Sequence, residues 1–215
     1  MREEENIKRM LMRFFAPMNA EKLIKTYETT GKLPGLEEQK VTVMFSDIAD
    51  STGMAEKLGP NRFAEVLSAY YETSTHIVFK HNGIVKYLGD GILAIFPEKN
   101  VQNHEMKAIM AARELMAYLQ QTGSLEEGRK TIVGISINTG NAMLGYVGSK
   151  DRAEFNVLGD VVNVAFHLQG QARPNKVIVS ATTLESIRNE YRFRSIGSFN
   201  LKGRVQGVEA FEVLL

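Results

Sequence analysis

Hydrophobic residues recur along the chain with two different periods. Val41, Val43 and Phe45 take every second position at the start of an apolar stretch, which predicts a β-strand. Between residues 62 and 81, apolar side chains recur every three or four positions, which predicts an amphipathic helix. Residues 84–96 form an apolar run around a central Gly-Asp-Gly, and this pattern predicts two strands joined by a tight turn.

Taken in order, the predicted elements are a helix, then β-α-α-β-β-α-β, then β-α-β-α-β-β. This mixture is typical of an α+β sandwich, and its split β-α-β is the ferredoxin-like pattern also found in polymerase palms. The pattern indicates a helical extension at residues 1–39 and one domain at residues 40–215. Within that domain, Gly140, Gly145 and Gly148 predict turns after a strand.

The first strand ends at a carboxylate, Asp47, which is followed closely by Asp50, Ser51 and Thr52. Open α/β sheets place ligands at the carboxyl ends of strands, so Asp47 is a candidate ligand-binding residue. The alternative is structural, because Asp, Ser and Thr are all favoured N-caps of a following helix. Taken alone, this stretch favours the cap interpretation.

A second carboxylate, Asp90, lies between Gly89 and Gly91 at the predicted hairpin turn. Asp-Gly is a common turn pair, so Asp90 also has a purely structural explanation. If the strands that carry Asp47 and Asp90 are neighbours in one sheet, the two carboxylates converge. Two hard oxygen ligands suit Mg²⁺ or Mn²⁺, with water and substrate phosphates completing the coordination.

Three stretches together resemble the catalytic domain of class III nucleotidyl cyclases. The first metal-binding segment of that family is similar to residues 45–52, Phe-Ser-Asp-Ile-Ala-Asp-Ser-Thr, and the second to residues 86–91, Lys-Tyr-Leu-Gly-Asp-Gly. Its transition-state segment resembles residues 155–168, Phe-Asn-Val-Leu-Gly-Asp-Val-Val-Asn-Val-Ala-Phe-His-Leu. The resemblance covers residues 40–215. It implies an adenylyl cyclase that forms 3′,5′-cyclic AMP and pyrophosphate from ATP with two Mg²⁺ or Mn²⁺ ions.

The resemblance implies a role for each matching residue. The metal ligands are Asp47, Asp90 and the backbone carbonyl of Ile48. Asn163 is one of two donors that stabilise charge around the α-phosphate in the transition state. The second donor in the family is an arginine one helical turn later, where this chain has His167. Histidine is shorter than arginine and mostly neutral above about pH 6.5. This departure implies a slow enzyme, one that works better in mild acid, or an inactive nucleotide-binding module.

Three further residues match positions that contact the substrate in the family. Lys86 fits a lysine that contacts adenine, and Asn156 occupies the second base-contacting position, usually aspartate or threonine. Asparagine both donates and accepts hydrogen bonds, so it can still hold the adenine edge. Guanylyl members usually have glutamate at the lysine position, so Lys86 favours ATP over GTP. Lys202, in a basic Lys-Gly-Arg turn, is a candidate triphosphate contact; the alternative is a solvated turn.

The resemblance also implies a partner. Family members work as head-to-tail dimers with sites at the interface, so we expect a homodimer with two equivalent sites. Asp47 and Asp90 come from one subunit in that arrangement, and the other side-chain contacts come from the second. The predicted helical extension is either a lid on the core of its own domain or a connector from an upstream regulatory domain.

The chain length, net charge and residue composition exclude several other classes of protein. With 215 residues, the chain can form one sizeable domain and a short extension. A net charge of +1 gives no electrostatic basis for nucleic-acid binding, and the absence of cysteine excludes disulfides and thiolate sites. No apolar run approaches the length of a membrane span and no secretory signal opens the chain, so we expect a cytoplasmic protein.

Overall fold

The computed structural model describes residues 17–121, 132–149, 151–201 and 207–214 of the chain. Lys202 and residues 1–16 of the predicted extension lie outside these residues. The described residues form two compact units. The smaller contains the residues up to Glu38 together with Met143–Leu158, and the larger contains Gln39–Ala142 and the residues from Gly159 onward.

The order of elements along the chain is the predicted one. The helices are α1 (Pro17–Thr30), α2 (Ser51–Leu58), α3 (Pro60–Lys80), α4 (His104–Gln121), α5 (Asp160–Gln169) and α6 (Ala181–Ile187). The strands are β1 (Glu37–Ile48), β2 (Ile84–Leu88), β3 (Gly91–Pro97), β4 (Val133–Gly148), β5 (Ala153–Leu158), β6 (Lys176–Ser180), β7 (Arg192–Phe199) and β8 (Val208–Leu214). Within the described part of the chain, none of these helices has both the length and the apolar character needed to cross a bilayer.

The strands of the larger unit form a mixed sheet in the order β2-β3-β1-β4-β6-β8-β7. β3 pairs antiparallel with both β1 and β2, whereas β4 and β6 run parallel. A parallel pair needs a crossover connection. The crossover contains α5, which packs on β4, where the Ser136 hydroxyl donates to the Ala165 carbonyl at 2.6 Å. A mixed sheet with packed helices is an α+β structure, so the predicted fold class is confirmed.

The β2-β3-β1 part of the sheet has two different faces. One face is covered by α3, where Tyr70 donates a hydrogen bond to Ser46 Oγ at 2.7 Å and the hydroxyls of Thr75 and Tyr87 are 2.8 Å apart. Because side chains alternate along a strand, Asp47 points to the opposite face.

α5 contributes to this second face of the sheet. Phe45 and Asp47 are two residues apart on β1 and therefore share the face. The ring of Phe166 on α5 packs edge-on against Phe45, with the ring centroids 5.6 Å apart. The end of β1 and the middle of α5 thus lie next to one another.

The course of β4 contradicts one prediction. The glycines expected to form turns lie within a continuous strand, Val133–Gly148. A Cβ atom added to Gly145 would collide with the Gly35 carbonyl oxygen, and Gly145 pairs with Asn156 on β5. Gly145 therefore allows close approach of a neighbouring segment rather than reversal of the chain.

In the smaller unit, the end of β4 forms an antiparallel hairpin with β5. The ring of Tyr146 packs edge-on against Phe155, with the centroids 5.6 Å apart. The backbone N–H of Tyr146 donates to the Pro34 carbonyl at 3.4 Å. The hairpin is therefore held to the segment that follows α1, and it carries Asn156 in a half-buried position.

Candidate active site at the end of strand β1

The structure brings Asp47 and Asp90 together. Asp47, near the end of β1, lies directly opposite Gly91, the first residue of β3. Asp90 immediately precedes Gly91 in the hairpin turn, and its negative charge raises the pKa of the Asp47 carboxyl. The antiparallel pairing of β1 and β3 therefore creates a pair of adjacent carboxyl groups.

Gly91 allows this close approach of the two strands. A Cβ atom at this position would lie 2.7 Å from the Ser46 backbone oxygen and 3.3 Å from Asp47 Cα. Gly89, on the other side of Asp90, has φ 62°, a left-handed conformation that favours glycine. The two glycines that flank Asp90 thus have separate roles, one in strand packing and one in the turn.

We expect Gly91→Ala to destabilise the protein, because the new methyl group collides with the β1 backbone. Overpacking of this kind typically costs about 1–3 kcal/mol. In a protein of this size, each kcal/mol lowers the melting temperature by roughly 2–4 °C, which thermal unfolding followed by circular dichroism measures. Gly170→Ala is the matched control, since Gly170 has φ −57° and an added Cβ would meet its nearest neighbour at 3.8 Å. Equal losses in the two variants would contradict the prediction.

Helices α2 and α3 hold the tip of the β2–β3 hairpin. Ser51, the first residue of α2, donates a hydrogen bond to Asp90 Oδ2, and the Tyr71 hydroxyl of α3 donates one to the Gly89 carbonyl. The Tyr71 ring stacks on Tyr87, with the centroids 4.1 Å apart. These contacts keep the Asp90 carboxyl beside the end of β1.

The interpretation of the polar edge as a helix cap is right about the position of Asp50 but not about its side chain. This residue takes the N-cap position of α2 with φ 55°, and its side chain makes no capping hydrogen bond. The next residue, Ser51, bonds to Asp90. Of the polar residues that follow Asp47, Ser51 therefore supports the carboxylate pair.

Asp47 lies in an environment that disfavours its charge. Burial and the neighbouring Asp90 raise the pKa of the Asp47 carboxyl above its ordinary value, and the guanidinium of Arg173 opposes this shift. The Oδ1 atom of Asp47 is buried and has no hydrogen-bond partner among the described residues. A divalent cation would stabilise an unpaired carboxylate oxygen that lies beside a second carboxylate.

The donor set fits Mg²⁺ or Mn²⁺ bound together with a substrate. Asp47 and Asp90 supply the hard oxygen ligands that these ions prefer, and Ile48, the expected carbonyl ligand, follows Asp47 directly with a buried side chain. The described residues contain no cluster of three or more His, Cys, Asp or Glu side chains arranged for a metal ion. The remaining ligands would therefore be backbone oxygens, water and substrate phosphates.

The structure adds a site residue that the sequence did not single out. Arg173, in the loop after α5, forms an ion pair with Asp47 and donates a hydrogen bond to its Oδ2 atom. The two residues are 126 positions apart in the chain. A single arginine before a proline in a polar loop belongs to no periodic pattern, so only the folded chain places it at the site.

α5 presents Asn163 and His167 on its exposed side, one turn apart, as the helical spacing predicts. Phe166, next to His167, leaves 61% of its surface exposed. Within the described residues, the side-chain hydrogen bonds of Asp47 and Asp90 involve Ser51 and Arg173 rather than these two α5 residues. The buried stripe of α5 contains the predicted apolar residues, Val161, Val164, Ala165 and Leu168.

The three expected substrate contacts fall in different parts of the chain. Lys86, half-buried on β2, lies in register across β3 with Phe45 and therefore shares the sheet face of Asp47. Asn156 belongs to the smaller unit. Lys202 lies outside the described residues.

Comparison with known proteins gives a family match over most of the chain. The profile of the adenylate and guanylate cyclase catalytic domain matches residues 35–213. Adenylate cyclase 1 of Rhizobium meliloti (strain 1021) is 30% identical over 186 residues, which cover 82% of this chain and 28% of that protein. The chain thus spans less than a third of that relative.

Solved structures share the fold. The adenylyl cyclase CyaB of P. aeruginosa superposes with a TM-score of 0.79 at 23% identity, covering 85% of this chain and 97% of that one. The guanylyl cyclase Cya2 superposes with a TM-score of 0.69 at 27% identity, covering 84% and 94%. The same fold therefore occurs in an adenylyl cyclase and in a guanylyl cyclase.

Proposed function

Because this chain belongs to the adenylate and guanylate cyclase catalytic domain family, we propose that it converts ATP to 3′,5′-cyclic AMP and pyrophosphate. The observation that carries the proposal is the carboxylate pair, in which Asp47 and Asp90 adjoin and Asp47 Oδ1 has no partner among the described residues. The 30% identity to an adenylate cyclase of Rhizobium meliloti supports the choice of reaction.

The proposed reaction is an intramolecular displacement at phosphorus. The ribose 3′-oxygen forms a bond to the α-phosphorus, the bond from that phosphorus to the pyrophosphate oxygen breaks, and the hydroxyl proton passes to water. Two bound Mg²⁺ or Mn²⁺ ions would lower the pKa of the hydroxyl and neutralise the leaving group. Asp47, Asp90 and the carbonyl of Ile48 would hold these ions. Ser51 and Tyr71 keep the Asp90 turn beside β1.

We propose that the complete site forms between two copies of the chain. Exposed apolar side chains on the sheet face of Asp47 support an interface there, since Leu88 is 44% exposed and Phe166 is 61% exposed. Asn163 is exposed on the same helix as Phe166. In a two-fold head-to-tail dimer, the Asp47 region of one copy faces Asn163 and His167 of the other, which gives two equivalent sites.

Lys86, Asn156 and Lys202 are proposed to bind the nucleotide, the first two at the base and the third at the triphosphate. Lysine only donates hydrogen bonds, and adenine offers an acceptor at N1 where guanine has an N–H group. Lys86 therefore favours ATP. The second candidate function is guanylyl cyclase, which the 27% identity to Cya2 favours.

The relatives suggest a role for the helical extension. The family profile begins at residue 35, and the Rhizobium meliloti relative is more than three times as long as the matching segment, which is 28% of that protein. We propose that residues 40–215 are the catalytic domain and that residues 1–39, which include α1, connect it to an upstream regulatory domain.

We expect His167→Arg to raise the turnover of cyclic AMP formation several-fold. Arginine carries a permanent charge and donates hydrogen bonds from a rigid fork, so it stabilises a developing phosphoryl charge better than histidine. The measurement is the initial rate at saturating ATP and Mn²⁺. His76→Arg, on an exposed site of α3, is the matched control. An unchanged or lower rate in His167→Arg would show that His167 does not occupy the donor position.

The direct test of the proposed function is to incubate the purified protein with ATP or GTP and Mn²⁺ and to identify the products by chromatography. Cyclic AMP as the main product supports adenylyl cyclase activity. Predominance of cyclic GMP would favour the guanylyl alternative. Nucleotide binding without any cyclic product would indicate an inactive binding module, the alternative that the histidine at position 167 raises.

A further inference from the structure

The guanidinium of Arg173 occupies one oxygen of a proposed metal ligand. It pairs with Asp47 Oδ2, while Oδ1 of the same carboxylate has no partner among the described residues. We propose that Arg173 is an internal cation that competes with the divalent metal ion for Asp47. This inference rests on the proposed metal-binding role of Asp47 and Asp90.

The loop that carries Arg173 is fixed to β4. The backbone N–H of Asn175 donates to the Val133 carbonyl at 2.8 Å, and Asn175 Oδ1 accepts a hydrogen bond from the Val133 N–H at 3.0 Å. The N–H of Lys176 donates to the Ala172 carbonyl at 2.9 Å and closes the loop. These hydrogen bonds fix the position of the loop, and the loop places Arg173 beside the end of β1.

The aliphatic part of the Arg173 side chain packs against β4. It passes Gly134 of β4 so closely that a Cβ atom on this glycine would lie 3.1 Å from Arg173 Cγ. The side chain is 38% exposed and that of Asp47 is 24% exposed. A partly buried ion pair is less screened by water than one on the open surface, so Arg173 and Asp47 attract one another more strongly than a fully exposed pair would.

Arg173 and the metal ion compete for the same carboxylate charge. Asp47 and Asp90 repel one another when both are ionised, and Arg173 offsets that repulsion with one positive charge. A divalent ion bound to the same two carboxylates supplies two positive charges and is itself repelled by an adjacent guanidinium. Metal binding therefore requires Arg173 to leave Asp47 or to remain beside a second cation. Either outcome weakens metal binding, so Arg173 raises the metal concentration at which the site fills.

The test measures metal binding directly, without nucleotide and without turnover. Mn²⁺ is titrated into the full chain at pH 8, and free Mn²⁺ is followed by electron paramagnetic resonance. Arg173→Gln should lower the dissociation constant by about 3- to 10-fold, because it removes both an ion pair and a repelling charge. Arg173→Lys, which keeps the charge, should stay closer to the wild type.

Arg194→Gln is the matched control. Arg194 also pairs with a carboxylate, Glu212, but it lies on β7, at the end of the sheet remote from β3 and β1. This control loses the same charge and the same kind of ion pair, and its affinity for Mn²⁺ should match the wild type. An unchanged or weaker affinity in Arg173→Gln would overturn the inference.

Asp47→Asn and Asp90→Asn separate failure of this inference from failure of the proposed function. If both substitutions abolish Mn²⁺ binding while Arg173→Gln has no effect, the metal site stands and the competition is rejected. If Asp47→Asn binds Mn²⁺ as tightly as the wild type, Asp47 is not a ligand, and the proposed mechanism and the competition by Arg173 are both rejected.

Discussion

Asp47→Asn is expected to reduce cyclic AMP formation by at least about 100-fold, because groups that merely support metal ligands already contribute 10–100-fold. Asparagine has nearly the same shape as aspartate but no charge, so the site loses half of its side-chain charge toward the metal ions. The measurement is the rate of product formation at saturating ATP over a range of Mn²⁺ concentrations. Excess Mn²⁺ should recover only a small part of the lost rate.

Asp50→Asn is the matched control for this prediction. It makes the same chemical change three positions later, at a residue whose φ of 55° asparagine tolerates. Its activity should remain close to that of the wild type, and thermal unfolding should show both variants folded. Full activity in Asp47→Asn would reject the metal assignment and the proposed mechanism with it.

Much of the geometry around the carboxylate pair could be predicted, because the local sequence patterns and the family resemblance agree there. Alternation along residues 41–46 ends the first strand close to Asp47. The glycines on both sides of Asp90 indicate the turn that joins β2 and β3. The pairing of β1 with β3, which places the two carboxyl groups side by side, is not contained in either local pattern. Only the family resemblance indicated it before the structure did.

The continuation of β4 through its glycines and the role of Arg173 could not be predicted, for two different physical reasons. A glycine in a turn and a glycine at a close contact give the same local signal, and the difference at Gly145 is set by the Gly35 carbonyl, far earlier in the chain. The role of Arg173 depends on the end of β1, 126 residues away, and on a loop held by Asn175. Both features follow from tertiary packing rather than from any pattern in neighbouring residues.

Asn163→Ala is expected to lower the turnover of cyclic AMP formation by about 10²–10³-fold, the usual effect of removing one donor that stabilises transition-state charge. Asn163 is exposed on α5, so the substitution should leave the melting temperature close to that of the wild type. Mn²⁺ affinity measured without nucleotide should also be unchanged, in contrast to Asp47→Asn. A loss of Mn²⁺ binding would contradict the separation of these two roles.

Mixing the two inactive variants tests whether the proposed site is shared between subunits. With random pairing of equal amounts, about half of the dimers contain one Asp47→Asn chain and one Asn163→Ala chain. In each of these dimers, one site combines the intact Asp47 of one copy with the intact Asn163 of the other, and the second site lacks both. Activity should therefore return to about a quarter of the wild-type value, whereas each variant alone stays inactive. If both residues served a site within a single chain, mixing would restore nothing, and the head-to-tail arrangement would be rejected while the role of each residue remained.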